Sequence, residues 1–164
     1  MIRKVLEDAD ILIVAKLANT IWNSHYTPII GQKQVDYMVN KFQSFDAIKS
    51  QIKNGYCYYL ISNSKNAIGY LCLLPDPDSN KIMISKIYVD KSENGNGYGT
   101  QLINLTKTIA KEKNINTIWL TVNKHNANSI NWYQKLGFNI TKKVIMNIGK
   151  GYFMDDFVME LNLN

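Results

Sequence analysis

The sequence predicts a single α/β or α+β domain built on a mixed sheet, and three observations carry that prediction. The chain has 164 residues, 46% of them apolar, a usual single-domain length with enough apolar surface for one core. Its first third sets apolar residues at helical spacing, and its middle holds runs rich in β-branched and aromatic residues. A glycine cluster, "ENGNGYG" at residues 93–99, then separates the last of those runs from another amphipathic stretch. Residues 1–164 are accordingly read as one domain.

The elements follow in order. Ile2 to Val5 is a short strand. A helix runs through "DADILIVAKLANTIWNSH", where Ile11, Val14, Leu17, Ala18 and Ile21 share one face and Asp8 or Asp10 is available to cap the start. "GQKQVDYMVNKF" repeats that spacing with Val35, Met38, Val39 and Phe42. "SFDAIKSQIKNG" is a third helix, with Ser44 as N-cap and Gly55 at its stop. "YCYYLIS", "AIGYLCLLP" and "KIMISKIYVD" are strands, separated by the turn compositions "NSKN" and "DPDSN", and read as an antiparallel meander. After the glycines, Leu102, Leu105, Ile109 and Ala110 mark a helix; "INTIWLTVN" is a strand, "NANSINWYQKL" a helix, and "FNITKKVIMNI" and "YFMDDFVMELNL" two more strands. The order is β α α α β β β α β α β β, with no repeat or linker.

Composition excludes several functions. No stretch approaches the roughly 18 to 20 consecutive apolar residues of a membrane span. The opening "MIRKVLEDAD" puts charges where a secretion signal has its apolar stretch, so the expected location is the cytoplasm. Cys57 and Cys72 lie in strand-like runs without a CxxC or a neighbouring His. They read as buried thiols, and no metal site is expected. The net charge is +6, but Arg3 is the one arginine and the lysines form no dense block. Bidentate reading of bases is therefore poorly served, and no nucleic-acid partner is expected.

A strand, a glycine-rich turn and a helix together present bare backbone N–H groups and a positive helix end to an anion. The spacing here is G-x-G-x-G, neither the G-x-G-x-x-G of dinucleotide folds nor a GxxxxGK[ST] loop. From residue 84 to residue 138 the sequence resembles the GNAT superfamily of acyl-CoA-dependent N-acetyltransferases. The segment Asn94-Gly95-Asn96-Gly97-Tyr98-Gly99 fills that family's Q/R-x-x-G-x-G/A loop except at its first position, where Asn94 stands for Gln or Arg. A second motif matches at Asn126, Ser129, Tyr133 and "KLGF", Lys135 to Phe138. The resemblance implies a GNAT-like fold, with a central mixed, mostly antiparallel sheet flanked by helices. It also implies acetyl-CoA as the cofactor.

The same resemblance implies a site. Amides from Asn94 through Thr100 would cradle the pyrophosphate. The backbone of Ile87, Tyr88 and Val89 would bind pantetheine and polarise the thioester carbonyl. Asn126 and Ser129 would contact the cofactor, Asn126 being alternatively a simple helix cap. Tyr133 would give a proton to the departing thiolate, the alternative being a packed core tyrosine. The stretch Met83 to Lys86 lacks the glutamate that some relatives use as base. A water ordered by Asn123 and His125 is one substitute, Asn123 being also a candidate substrate contact and His125 alternatively a solvent-exposed loop histidine; Glu93 receives no role. Trp22, His25, Tyr26 and Tyr37, with Asp155 and Asp156, suit a cationic amine; equally they read as core aromatics and a solvated strand edge. The implied function is N-acetylation of a primary amine of a small molecule, polyamines included, or of a peptide. The alternative is a catalytically silent acyl-CoA-binding domain. Exposed strand edges near the C-terminus are compatible with a homodimer.

Overall fold

A computed structural model describes residues 1–164. Its elements are β1 (Ile2–Lys4), α1 (Asp8–Ile30), α2 (Gln32–Phe42), α3 (Phe45–Lys53), β2 (Cys57–Ser62), β3 (Ala67–Asp76), β4 (Lys81–Val89), α4 (Tyr98–Glu112), β5 (Thr117–Asn123), α5 (Ala127–Lys135), β6 (Asn139–Gly149) and β7 (Tyr152–Asn162). One 3-10 turn, Lys91–Glu93, precedes α4. This is the predicted order with that turn added. The strands form one seven-stranded sheet in the order β1-β2-β3-β4-β5-β7-β6. The chain divides into two compact units, residues 1–74 with 85–106 and residues 75–84 with 107–164.

In the first unit, β1 pairs antiparallel with β2, Ile2 opposite Ile61, and β2 with β3, Cys57 opposite Leu73. α1 presents Ile11, Val14, Ala18, Ile21 and Trp22 as its buried stripe. Ser44 caps α3 as predicted, its Oγ accepting from Ala47 N at 3.2 Å, and Gly55 takes φ 93° just past the helix end. α1 departs from expectation at both ends. Its N-cap is Glu7, which makes no side-chain cap; Asp10 instead accepts from Leu6 N at 3.3 Å and pairs with Arg3. The helix also runs on to Ile30 through Pro28. A proline so near the end removes one backbone donor in the last turns, and Gly31, at φ 85°, makes the stop.

The buried polar cluster of this unit centres on Lys86. Only 6% exposed, its ammonium donates to Phe42 O at 2.5 Å, Gln51 Oε1 at 2.9 Å and Tyr58 Oη at 2.5 Å. Three donors meet three acceptors, so β4 is fastened to the end of α2, to α3 and to β2. Burial lowers the lysine to about 8 and raises the Cys72 thiol to about 12. Cys72 is buried as expected, whereas Cys57 is half-exposed, and both are free thiols.

In the second unit, β4 pairs with β5 in parallel from Lys81↔Thr117 to Met83↔Trp119, where the ladder ends. β5 runs antiparallel to β7 from Thr117↔Asn162 to Asn123↔Asp156, and β7 antiparallel to β6. The sheet is thus mixed and mostly antiparallel. Ile118, Leu120, Phe138 and Met159 are buried here. Gly137, at φ 98°, ends α5 where an added Cβ would stand 3.2 Å from Leu161 Cδ1. β6 is an outer strand with most of its length exposed.

Candidate active site

The glycine cluster forms an open cradle. At the end of β4, Asp90 N donates to Ile68 O at 2.7 Å, and the Asp90 carboxylate accepts from Ser92 N at 2.9 Å and Ser92 Oγ at 2.7 Å. Glu93 accepts from Asn63 Nδ2 at 2.8 Å and Asn96 Nδ2 at 3.0 Å. It therefore braces the loop, a role the sequence reading did not give it. Gly95 and Gly97 adopt φ 85° and 77°, where side chains are strained, and a Cβ on either would meet nothing within 4 Å. The first backbone bond reaching into α4 is Gln101 N to Gly97 O at 3.0 Å. The N–H groups of Tyr98, Gly99 and Thr100 thus fall in the turn that an α-helix leaves without internal partners. No acidic residue stands in that turn. Space, bare donors and the positive helix end fit a diphosphate.

Behind the loop, Ile87, Tyr88 and Val89 are half-buried, and no β5 ladder reaches them. Gly69 of β3 permits their placement, since a Cβ there would lie 2.5 Å from Tyr88 O and 3.1 Å from Val89 Cα. The sequence reading passed over Gly69, although a lone glycine inside a strand signals close backbone approach. The Tyr88 ring stands 5.5 Å from Trp22, 6.1 Å from Tyr26 and 5.4 Å from Tyr70. Trp22 is buried, while Tyr26 and His25 keep partial exposure. Burial, with Lys91 nearby, lowers the His25 pKa. Trp22 and Tyr26, 4.3 Å apart, are therefore brought together with the candidate pantetheine strand.

The second unit gathers the other candidates. Asn123 ends β5, and its Oδ1 accepts from His125 N at 2.9 Å. Asn126 caps α5, its Oδ1 accepting from Ser129 N at 3.3 Å, which is the helix-cap alternative. Tyr133 is buried on α5, its ring 5.0 Å from Trp132 and 5.6 Å from Phe138. Asp155 and Asp156 differ sharply. Asp155 is ion-paired to Lys124. Asp156 is 2% exposed, and its Oδ1 has no hydrogen-bond partner. Burial pushes the Asp156 pKa up to about 6, against a lowering hydrogen bond from Thr121 and with the Asp155 charge adding to the rise. No group of three or more His, Cys, Asp or Glu side chains is placed to hold a metal.

Comparison with known proteins places this geometry. The Acetyltransferase (GNAT) family model matches residues 18–138. The chain belongs to the GNAT acetyltransferase family, the class of protein that its mixed sheet and glycine cradle describe. A Lactobacillus delbrueckii subsp. lactis protein, "Uncharacterized N-acetyltransferase in pepI 3'region", is 29% identical over 101 residues, and the match covers 58% of each chain. Among solved structures, the fold is similar to PaiA N-acetyltransferase of Thermoplasma acidophilum in complex with coenzyme A. That likeness has a TM-score of 0.79 at 21% identity, covering 99% of this chain and 98% of that one. A GCN5-related N-acetyltransferase from Rhodopseudomonas palustris gives 0.83 at 16% identity, covering 99% and 95%. A ribosomal-protein-alanine N-acetyltransferase from Brucella melitensis gives 0.72 at 17%, covering 99% of each. These likenesses are of fold.

Proposed function

We propose that the protein transfers an acetyl group from acetyl-CoA to a primary amine of a small molecule or a peptide. The observation that carries the reading is the cradle at the head of α4: two glycines with positive φ, open space where a Cβ would stand, and a first helical turn without acidic side chains. Acetyl-CoA, when bound, supplies an activated acyl group. The chain's residues do the rest. The amides around Gly95, Gly97, Tyr98, Gly99 and Thr100, with Asn94 and Asn96 beside them, hold the diphosphate. The backbone of Ile87, Tyr88 and Val89 binds the pantetheine arm, and Asn126 and Ser129 contribute at the head of α5. Tyr133 gives its proton to the leaving sulfur. Trp22 and Tyr26 contact the acceptor, with Asn123 and Asp155 contributing from β5 and β7.

The fold is compatible with acceptors as different as polyamines, amino sugars, amino acids and peptide termini. The net charge of +6 disfavours a polycation at long range. No helix is long and apolar enough to cross a membrane. The free thiols fit a reducing, cytoplasmic setting. Neither nucleic acid nor a membrane is among the proposed partners. A homodimer through the outer strand β6, where Ile145 is 71% exposed, belongs to the same proposal.

A second reading, a silent acyl-CoA-binding domain, draws on the absence of a carboxylate between Met83 and Lys86. One experiment separates the two. Calorimetric titration with acetyl-CoA, followed by a thiol-release assay over a panel of amines, should show binding and turnover. Binding without turnover on any amine favours the silent domain, and absence of binding overturns both.

A further inference from the structure

The acyl transfer needs a proton acceptor, and the strand where some GNAT enzymes carry one offers Lys86, whose ammonium already serves three acceptors. The second unit holds a different candidate. Asp156 lies opposite Asn123 in the last pair of the β5–β7 ladder, at the carboxyl end of β5. From there the chain turns through Lys124 and His125 into α5, the helix that carries Tyr133. The Asp156 carboxylate is 2% exposed, with Oδ1 unpartnered. An acceptor atom with no donor in a buried site is a standing cost that folding alone gives no reason to keep. A ligand N–H would remove it.

We propose that Asp156 is the proton acceptor of the reaction, its unpartnered Oδ1 receiving the N–H of the incoming ammonium; this rests on the N-acetyltransferase reading above. The balance is as follows. The ammonium gives one proton to the Asp156 carboxylate. The neutral nitrogen then bonds to the thioester carbon as the carbon–sulfur bond breaks, and the sulfur leaves with the Tyr133 proton. The second proton lost by the nitrogen restores the phenol through solvent, and Asp156 releases its own to water. The net products are the amide, the thiol and one proton.

The surroundings of Asp156 suit this duty. β5 contributes the uncharged Thr121 and Asn123 on the same face. On β6, Val144 is its pairing partner; exposed Lys142 lies two residues along on that face, and Lys143 turns to the other face, 5.9 Å above the Phe157 ring. On β7, Asp155 is neutralised by Lys124 from the β5–α5 turn. His125 follows in that turn, and α5 carries two titratable groups, Tyr133 and, in its last turn, Lys135. No cation answers the Asp156 charge directly, so burial leaves it a better base than an ordinary carboxylate at neutral pH.

The test uses the full chain, acetyl-CoA, and spermidine, glucosamine, lysine and an alanine-terminated peptide as acceptor probes. Asp156→Asn should bind acetyl-CoA within about twofold of wild type while kcat/KM falls about 100-fold or more, the usual reach of acid–base catalysis. Wild-type kcat/KM should decline below pH 6, where the carboxylate takes up its proton. Asp156→Asn should lose that limb, and Asp156→Glu should restore part of the rate with the limb displaced. Turnover of Asp156→Asn within threefold of wild type, or an unchanged acid limb, overturns the proposal while leaving the acetyltransferase reading standing. Failure of wild type to bind acetyl-CoA overturns that reading and the proposal with it. Should Asp156→Asn not fold, carbon-13 NMR of the wild-type carboxyl decides. Titration near pH 6 that shifts on adding a turned-over amine supports the role; titration near the ordinary aspartate range, or indifference to the amine, ends it.

Discussion

At the residue scale, Tyr133 and Gly97 give the sharpest expectations. The Tyr133 ring is packed between Trp132 and Phe138, so Tyr133→Phe keeps the packing and removes only the hydroxyl. In the proposed acid role, kcat should drop about 100-fold or more while acetyl-CoA affinity and melting temperature hold, measured by thiol release and calorimetry. Retained kcat would make the tyrosine a packing residue. Gly97→Ala acts differently, since its φ of 77° strains an L side chain by about 1 to 2 kcal/mol. It should weaken acetyl-CoA binding at least several-fold, with that small loss of stability read from denaturant unfolding. Gly97 stands out in the sequence as a turn glycine because its motif is local, whereas Tyr133 is singled out by the family motif, its helix alone reading as a packed core tyrosine. Asp156 was not distinguishable from Asp155. Neighbouring strand residues point to opposite faces, and which acid turns inward depends on the register of β7 against β5, which a single strand does not encode. Glu93 was passed over because a carboxylate next to an anion loop looks unhelpful until Asn63 and Asn96 are seen to engage it.

At the element scale, β4 is positioned by two devices that its own sequence hides. Lys86 sits among apolar residues in "KIMISKIYVD", and nothing in that run points to its partners, which lie 28 to 44 positions away in α2, α3 and β2. Lys86→Met should cost about 1 to 3 kcal/mol, because Phe42 O and Gln51 Oε1 lose a buried donor. The pH dependence identifies the cause. An unfolded lysine holds its proton up to about its usual 10.5, whereas folded Lys86 releases it from about 8, so the unfolded chain binds more protons between those values. Wild-type stability should therefore rise with pH across that window relative to Lys86→Met, by up to about 3 kcal/mol, in paired denaturation curves. A flat difference would mean that the ammonium is not desolvated. Gly69 is the second device, and Gly69→Ala should both destabilise the fold by about 1 to 3 kcal/mol and loosen acetyl-CoA, because it pushes on the backbone of Tyr88 and Val89. Element order and type were readable throughout, since each helix and strand carries its own apolar period. The ends of α1 were not: the apolar spacing was followed only to His25, and Asp8 or Asp10 was the candidate cap, while Gly31 and the Arg3 contact to Asp10 govern the outcome.

At the scale of the whole molecule, the chain is lysine-rich, with a net charge of +6 and a sequence pI near 9.2. For an anionic ligand that field should raise association rates and apparent affinity, and salt should diminish both. Field alone is unspecific, and would draw any polyanion. The cradle is specific, because its donors are backbone N–H groups at fixed positions and its glycines leave room for a diphosphate. The two contributions separate in a thermal-shift experiment. Acetyl-CoA at about 100 times its dissociation constant adds roughly 2.7 kcal/mol, which in a chain of this size raises the melting temperature by several degrees. Added salt, with acetyl-CoA kept near saturation, should trim that shift only slightly. NADH, which also carries a diphosphate but no pantetheine arm, should give a smaller shift, and duplex DNA one that vanishes with salt. Equal shifts from all three at low salt, gone together at high salt, would mean that charge alone attracts these ligands and that the glycine turn holds none of them.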